Sequence, residues 1–178
     1  MSNFFLSGRL ALVVATWVLV PVAHAHVTLE TRQAPVESGY KAVLKVPHGC
    51  KGSPTNKLRV RIPDGVLGVK PQPKAGWTLQ TVTGDYAQPY TLYGAPVSSG
   101  VQEVVWSGGS LPDEHYDEFV FTAYLSSALK PGTTVYFPVI QECEQGLTRW
   151  IDQPAQGQKP ASDHSDSPAP GLTLLPKP

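Results

Sequence analysis

Five histidines and two cysteines are the residues of this 178-residue chain best equipped to hold a metal ion, and His26 is the most informative of them. It stands in the stretch Val22-Ala23-His24-Ala25-His26-Val27-Thr28-Leu29-Glu30, directly after a small-x-small triplet of the kind a signal peptidase reads. A cut after Ala25 makes His26 the first residue of the working chain. Its free α-amine and its imidazole Nδ1 then close a chelate ring on one ion, and a competing metal displaces the protons of both groups near neutrality. Two nitrogens from one residue, completed by further nitrogen or oxygen donors, suit the tetragonal preference of Cu(II), which also heads the affinity order of the divalent first-row ions. Zinc usually takes a tetrahedral set of side chains instead. A lone histidine at a terminus is otherwise just a solvated end, so the metal reading requires a second donor.

The other candidates differ in quality. His48 sits in the turn Val46-Pro47-His48-Gly49-Cys50, beside one of the two cysteines. His115 lies in the loop Asp113-Glu114-His115-Tyr116 and reads as solvated, while His164 lies in Asp163-His164-Ser165-Asp166, a weak metal-capture segment. Glu30 would share a strand face with His26 but lie more than ~10 Å away, too far for a shared ion. Cys50 and Cys143 are an even number in a chain expected to be exported, and an oxidising compartment favours pairing them. Their bridge would close a loop of roughly ninety residues, worth about 4–5 kcal/mol in the chain-entropy treatment. The alternative, a thiolate copper ligand, requires one thiol to escape oxidation, and there is no C-x-x-C. The acidic run Asp113, Glu114, Asp117, Glu118 lacks calcium-loop spacing and reads as a solvated loop. There is no nucleophile elbow, no H-E-x-x-H and no phosphate-cradling glycine loop, so no enzyme class has positive support. Trp77, Trp106 and Trp150 read first as core residues of a sandwich.

These side chains need a scaffold. Residues 1–25 read as a signal peptide: Arg9 precedes the apolar run Leu10–Val20, which is too short to span a bilayer, and the cleavage triplet follows. Fourteen basic and fourteen acidic residues balance, which excludes a nucleic-acid footprint and a polybasic membrane patch. No later apolar run approaches transmembrane length, so the expected product is periplasmic or secreted, with no membrane anchor in the mature chain. Short apolar or alternating runs over Tyr40–Val46, Lys57–Ile62, Trp77–Thr83, Val101–Trp106, Glu118–Leu125 and Thr133–Gln141 predict strands. In Glu118–Leu125, Phe119, Phe121, Ala123 and Leu125 share one face, and a Lys130-Pro131-Gly132 turn joins this run to the next as the clearest pair. Pro63-Asp64-Gly65, Pro71-Gln72-Pro73, Ser107-Gly108-Gly109 and Pro131-Gly132 punctuate the series. The pattern predicts an all-β chain, a single β-sandwich of cupredoxin-like or Ig-like form over residues 26–153. Pro138 interrupts its strand pattern and predicts an edge or a bulge. From Pro154 the composition turns to Pro, Ala, Ser, Asp and Gln, predicting an extended Pro-rich C-terminal tail over 154–178 that wraps the domain or is partly disordered.

With these motifs in view, the chain resembles the YcnI-like copper-binding family. The resemblance rests on His26-Val27-Thr28-Leu29, Val46-Pro47-His48-Gly49-Cys50, the run from Lys70 to Trp77, Trp106-Ser107-Gly108-Gly109, Tyr116-Asp117-Glu118-Phe119, the run from Phe137 to Cys143, Gly146 to Trp150, and Pro168-Ala169-Pro170. It implies one Cu(II) per chain, held by the mature N-terminal histidine as a brace, with a carboxylate and a nearby tryptophan completing the site. His26 matches the brace and Trp150 the tryptophan, as a neighbour or weak contact of the metal. The chain departs from the pattern at the carboxylate, where the turn after Pro47 supplies His48 and a two-histidine site. The function so implied is a periplasmic Cu(II)-binding protein of copper homeostasis that works without catalysis. Its expected partners are the copper ion and another copper chaperone or a copper transporter. Two alternatives stand beside it: a copper-dependent enzyme of oxidative polysaccharide cleavage, and a metal-free β-sandwich interaction module.

Overall fold

The computed structural model describes residues 26–154 and 167–177. The expected signal peptide and His164 lie outside them. Twelve strands follow one another, and no helix lies among the described residues. They are β1 (Thr28–Leu29), β2 (Gln33–Pro35), β3 (Ser38–Val46), β4 (Thr55–Arg61), β5 (Val66–Pro71) and β6 (Thr78–Leu92). Then come β7 (Ala95–Leu111), β8 (Asp117–Leu125), β9 (Thr134–Tyr136), β10 (Val139–Cys143), β11 (Leu147–Trp150) and β12 (Gly171–Leu175). Three sheets result, in the orders β1-β3-β8-β5, β11-β10-β4-β7-β6 and β2-β12-β9. No described helix is long and apolar enough to cross a membrane.

Alternation puts the core where the sequence predicts it. Along β8, Phe119, Phe121, Ala123 and Leu125 are buried on one face, and they meet Leu58, Val60, Val104 and Trp106 from the five-stranded sheet. Sandwich architecture follows, because two sheets each with one apolar face remove that surface from water only by facing each other. Trp106 is completely buried, stands edge-on to Phe119 at 5.5 Å, and donates its Nε1 proton to the Gln72 carbonyl at 3.1 Å.

Four expectations change in the structure. The pairing of Glu118–Leu125 with Thr133–Gln141 is replaced: β8 pairs with β3 and β5, so the Lys130-Pro131-Gly132 turn connects different sheets. The Thr133–Gln141 run is two strands, β9 and β10, in different sheets, and Pro138 lies in the gap between them. A proline has no N–H to give a ladder, so the chain changes sheets there, while the Pro138 carbonyl still accepts from Arg61 N at 2.9 Å. Ser107-Gly108-Gly109 does not end a strand but continues β7. The Trp77 indole lies over Gly109 so closely that a Cβ there would come within 2.1 Å of the ring.

The fourth change concerns the tail and the domain boundary at 153. Residues 155–166 lie outside the described set, but Gly171–Leu175 forms the central strand of the three-stranded sheet, parallel to β2 and antiparallel to β9. Leu172 and Leu174 are buried within the core. Two such leucines gain about 1.5–3 kcal/mol each by leaving water, which together with the two ladders that β12 completes offsets the cost of ordering the segment. The domain therefore includes the chain's last strand.

Candidate metal centre

His26 lies two residues before β1, which runs antiparallel to β3 with Thr28 opposite Lys45 and Leu29 opposite Leu44. Strand β1 therefore begins where β3 ends, beside the Pro47-His48 turn. Val27 and Leu29 point inward and are buried, while His26 is half-buried at the surface. Its ring meets the Trp150 indole edge-on, with centroids 5.6 Å apart and planes at 76°. Trp150 is only 4% exposed and ends β11, opposite Val139 of β10.

A cavity of about 390 Å³ opens beside His26. Its wall includes Arg32 and Tyr136, and Asp152 two residues beyond Trp150. Pro168 and Pro170 close it from the returning C-terminal segment, which the backbone bonds Asp152 N to Ser167 O (3.1 Å) and Ala169 N to Asp152 O (2.9 Å) hold in place. His48 is not part of that wall. It is half-buried in its own turn, with Nδ1 2.6 Å from the Gly49 carbonyl. A carbonyl oxygen only accepts, so Nδ1 is the donor in this contact.

The turn carrying His48 is tightly determined. Cys50 and Ser53 exchange backbone hydrogen bonds of 2.8 and 3.1 Å. A Cβ on Gly49 would fall 2.1 Å from the Ser53 carbonyl oxygen and 3.1 Å from a carboxylate oxygen of Asp113, so only glycine fits there. Cys50 and Cys143 are joined, with Cα atoms 6.0 Å apart, and no described cysteine is free to act as a thiolate ligand. Beside the bridge, the fully buried Gln141 donates from Nε2 to the His48 carbonyl and to Thr55 Oγ1, both at 2.7 Å. Its Oε1 accepts the Trp150 Nε1 proton at 2.9 Å.

The remaining donors disperse. Glu30 is exposed and lies 3.7 Å from Lys45 Nζ, a surface pair of little energetic weight. His115 is exposed, and Asp117 is engaged by Lys74 at 2.6 Å, so the acidic run does not converge. Among the described residues no three His, Cys, Asp or Glu side chains gather around a point. Sequence reasoning missed Gln141 and Asp152. Gln141 had a signal: it occupies an inward-facing phase of β10, between Val139 and Cys143, where a polar residue is out of pattern. Asp152 had none, because it faces the cavity only once the C-terminal segment has returned.

A family model described as "Domain of unknown function (DUF1775)" matches residues 26–174, from His26 into β12. No curated protein matches. Among solved structures, the chain is similar to the crystal structure of an uncharacterized protein from Nocardia farcinica described as having an immunoglobulin-like fold. The two are 23% identical, the alignment covers 84% of this chain and 98% of that one, and the TM-score is 0.59. At that identity the likeness speaks for the fold alone.

Proposed function

The chain belongs to the DUF1775 family, a domain of unknown function, and on that premise we propose that it is an exported protein that binds one Cu(II) through His26 and holds it or hands it on without catalysis. The observation that carries this reading is the setting of His26. Directly after a cleavage triplet, its ring stands half-buried against Trp150 at the mouth of a cavity that also presents a carboxylate, Asp152. The amine and Nδ1 of a mature His26 would form the brace, and Asp152 or the Nε2 of His48 would add a further donor. Such a nitrogen-rich, oxygen-completed set matches what Cu(II) prefers. The disulfide supports an oxidising compartment.

The test is a Cu(II) titration of protein that begins at His26, beside protein keeping one extra residue ahead of it. One tight site is expected in the first and a loss of about tenfold or more in the second, because the extra peptide bond removes the amine as a ligand. Equal affinities would sink the brace. An electron paramagnetic resonance spectrum then counts the nitrogens and decides between the Asp152 and His48 donor sets.

A further inference from the structure

Buried side-chain amides are costly. Without partners, an amide taken out of water loses about 1–3 kcal/mol, so a leucine or methionine would serve an ordinary core position better than Gln141. Gln141 instead commits both of its amide hydrogens and its amide oxygen to partners in separate elements. It bonds the main chain of the turn after β3 at His48, the Thr55 hydroxyl on β4, and the indole of Trp150 on β11. Cys143, two residues further along the same inward face, carries the disulfide to Cys50, two residues beyond His48. Both ties span a sequence separation of 93, so a covalent and a hydrogen-bonded cross-link run side by side from β10 to the His48 turn. Only the hydrogen-bonded one also reaches Trp150, and through it the ring of His26. Because the indole N–H is committed to Gln141, Trp150 meets His26 with its ring and not with its nitrogen.

We infer that Gln141 is the positioning residue of the proposed copper centre, fixing with one buried amide both the Trp150 indole beside His26 and the main chain at His48. The inference rests on the copper reading and adds to it the residue that sets the site's geometry. Removing a partner that orients a metal site typically costs 10–100-fold in metal affinity.

The test compares wild-type protein matured from the full chain with Gln141→Met, which fills the same space without polar atoms, and Gln141→Glu, which keeps an acceptor for Trp150 but loses both donors. In the metal-free proteins, exchange of the Trp150 indole proton is followed by NMR. In the copper-loaded proteins, Cu(II) affinity and the parallel hyperfine splitting are measured. Gln141→Met should speed indole exchange at least tenfold, weaken Cu(II) binding about 10–100-fold and shift the splitting. Gln141→Glu should keep the slow exchange and still shift the splitting, through His48. Should the methionine variant fail to fold, Trp150→Phe, which leaves a ring beside His26 but no proton for Gln141, should shift the splitting in its place. Folded variants with wild-type affinity and splitting would overturn the role of Gln141 alone. A wild type that takes up no Cu(II) would overturn the copper reading itself.

Discussion

At one edge of the five-stranded sheet, β11, β10 and the turn after β3 meet around a buried amide and a disulfide; at the opposite edge, β6 and β7 form a long hairpin whose outer strand is largely exposed. The first region is tied by contacts spanning some ninety residues. The second is tied mainly by local pairing, from Leu92 opposite Ala95 to Thr78 opposite Ser107, with two register shifts along the way. Its tip is a two-residue turn at Tyr93-Gly94 with φ of 50° and 82°, the left-handed geometry that suits the twist of a hairpin. The difference teaches where precision is placed. Local pairing suffices to build a hairpin, but a site assembled from three distant segments needs cross-links that survive their separation.

The comparison breaks most sharply at the disulfide. The double variant Cys50→Ala with Cys143→Ala should lose about 2–5 kcal/mol of stability, because the unfolded chain regains the freedom of a long loop. Urea denaturation against the oxidised wild type measures it, and a loss below ~1 kcal/mol would show that the noncovalent ties suffice. Tyr40, near the start of β3 in the four-stranded sheet, gives a smaller effect. Its hydroxyl donates to the Thr31 carbonyl at 2.7 Å, anchoring the segment that follows β1. Burial pushes its phenol well above the ordinary tyrosine range. A phenol whose pKa is raised on folding contributes stability that is complete below its unfolded value near ~10 and is lost as pH climbs above it. Tyr40→Phe should therefore cost about 1 kcal/mol at neutral pH. Above pH ~10 the gap to wild type should close, since the variant has no such phenol to ionise. A gap that widens with alkali contradicts the assignment.

The hairpin should yield least. Tyr93 is 80% exposed, and its left-handed backbone is strained for a tyrosine, but its ring rests on Tyr124 with centroids 5.0 Å apart. Tyr93→Asn relieves the first and forfeits the second, so stability should move by no more than ~0.5 kcal/mol. A loss near 2 kcal/mol would mean the tip supports the sheet as strongly as the disulfide corner does.

Legibility followed the same division, with exceptions that carry the lesson. Strands β3 and β8 were readable because an apolar run in the first and strict alternation in the second each repeat the environment that their side chains meet. The outer halves of β6 and β7 were not, because Gly84, Pro89, Pro96 and Gly100 look like breakers until a partner strand is present to accept them. Strands β1, β2, β11 and β12 are too short to show a period, and each exists only as an added edge or a parallel insertion. Of the proposed site, His26 and Trp150 stood in the motifs the sequence offered, and the structure places their rings in contact. His48 lies on the expected turn beside the disulfide.

By itself the sequence determined the alternation that makes a β-sandwich, a histidine placed directly behind a small-x-small triplet, and two cysteines available to pair. These are properties of neighbouring residues or of composition, and they need no folded partner. Tertiary structure alone decided that Pro138 switches sheets, that the chain's last strand returns to the core, and that Asp152 shares a cavity with His26. It also decided that one buried amide joins His48 to Trp150. Each of these depends on contacts between residues far apart in the chain, where the free energy of burial and of hydrogen-bond satisfaction is shared among segments that no local pattern connects.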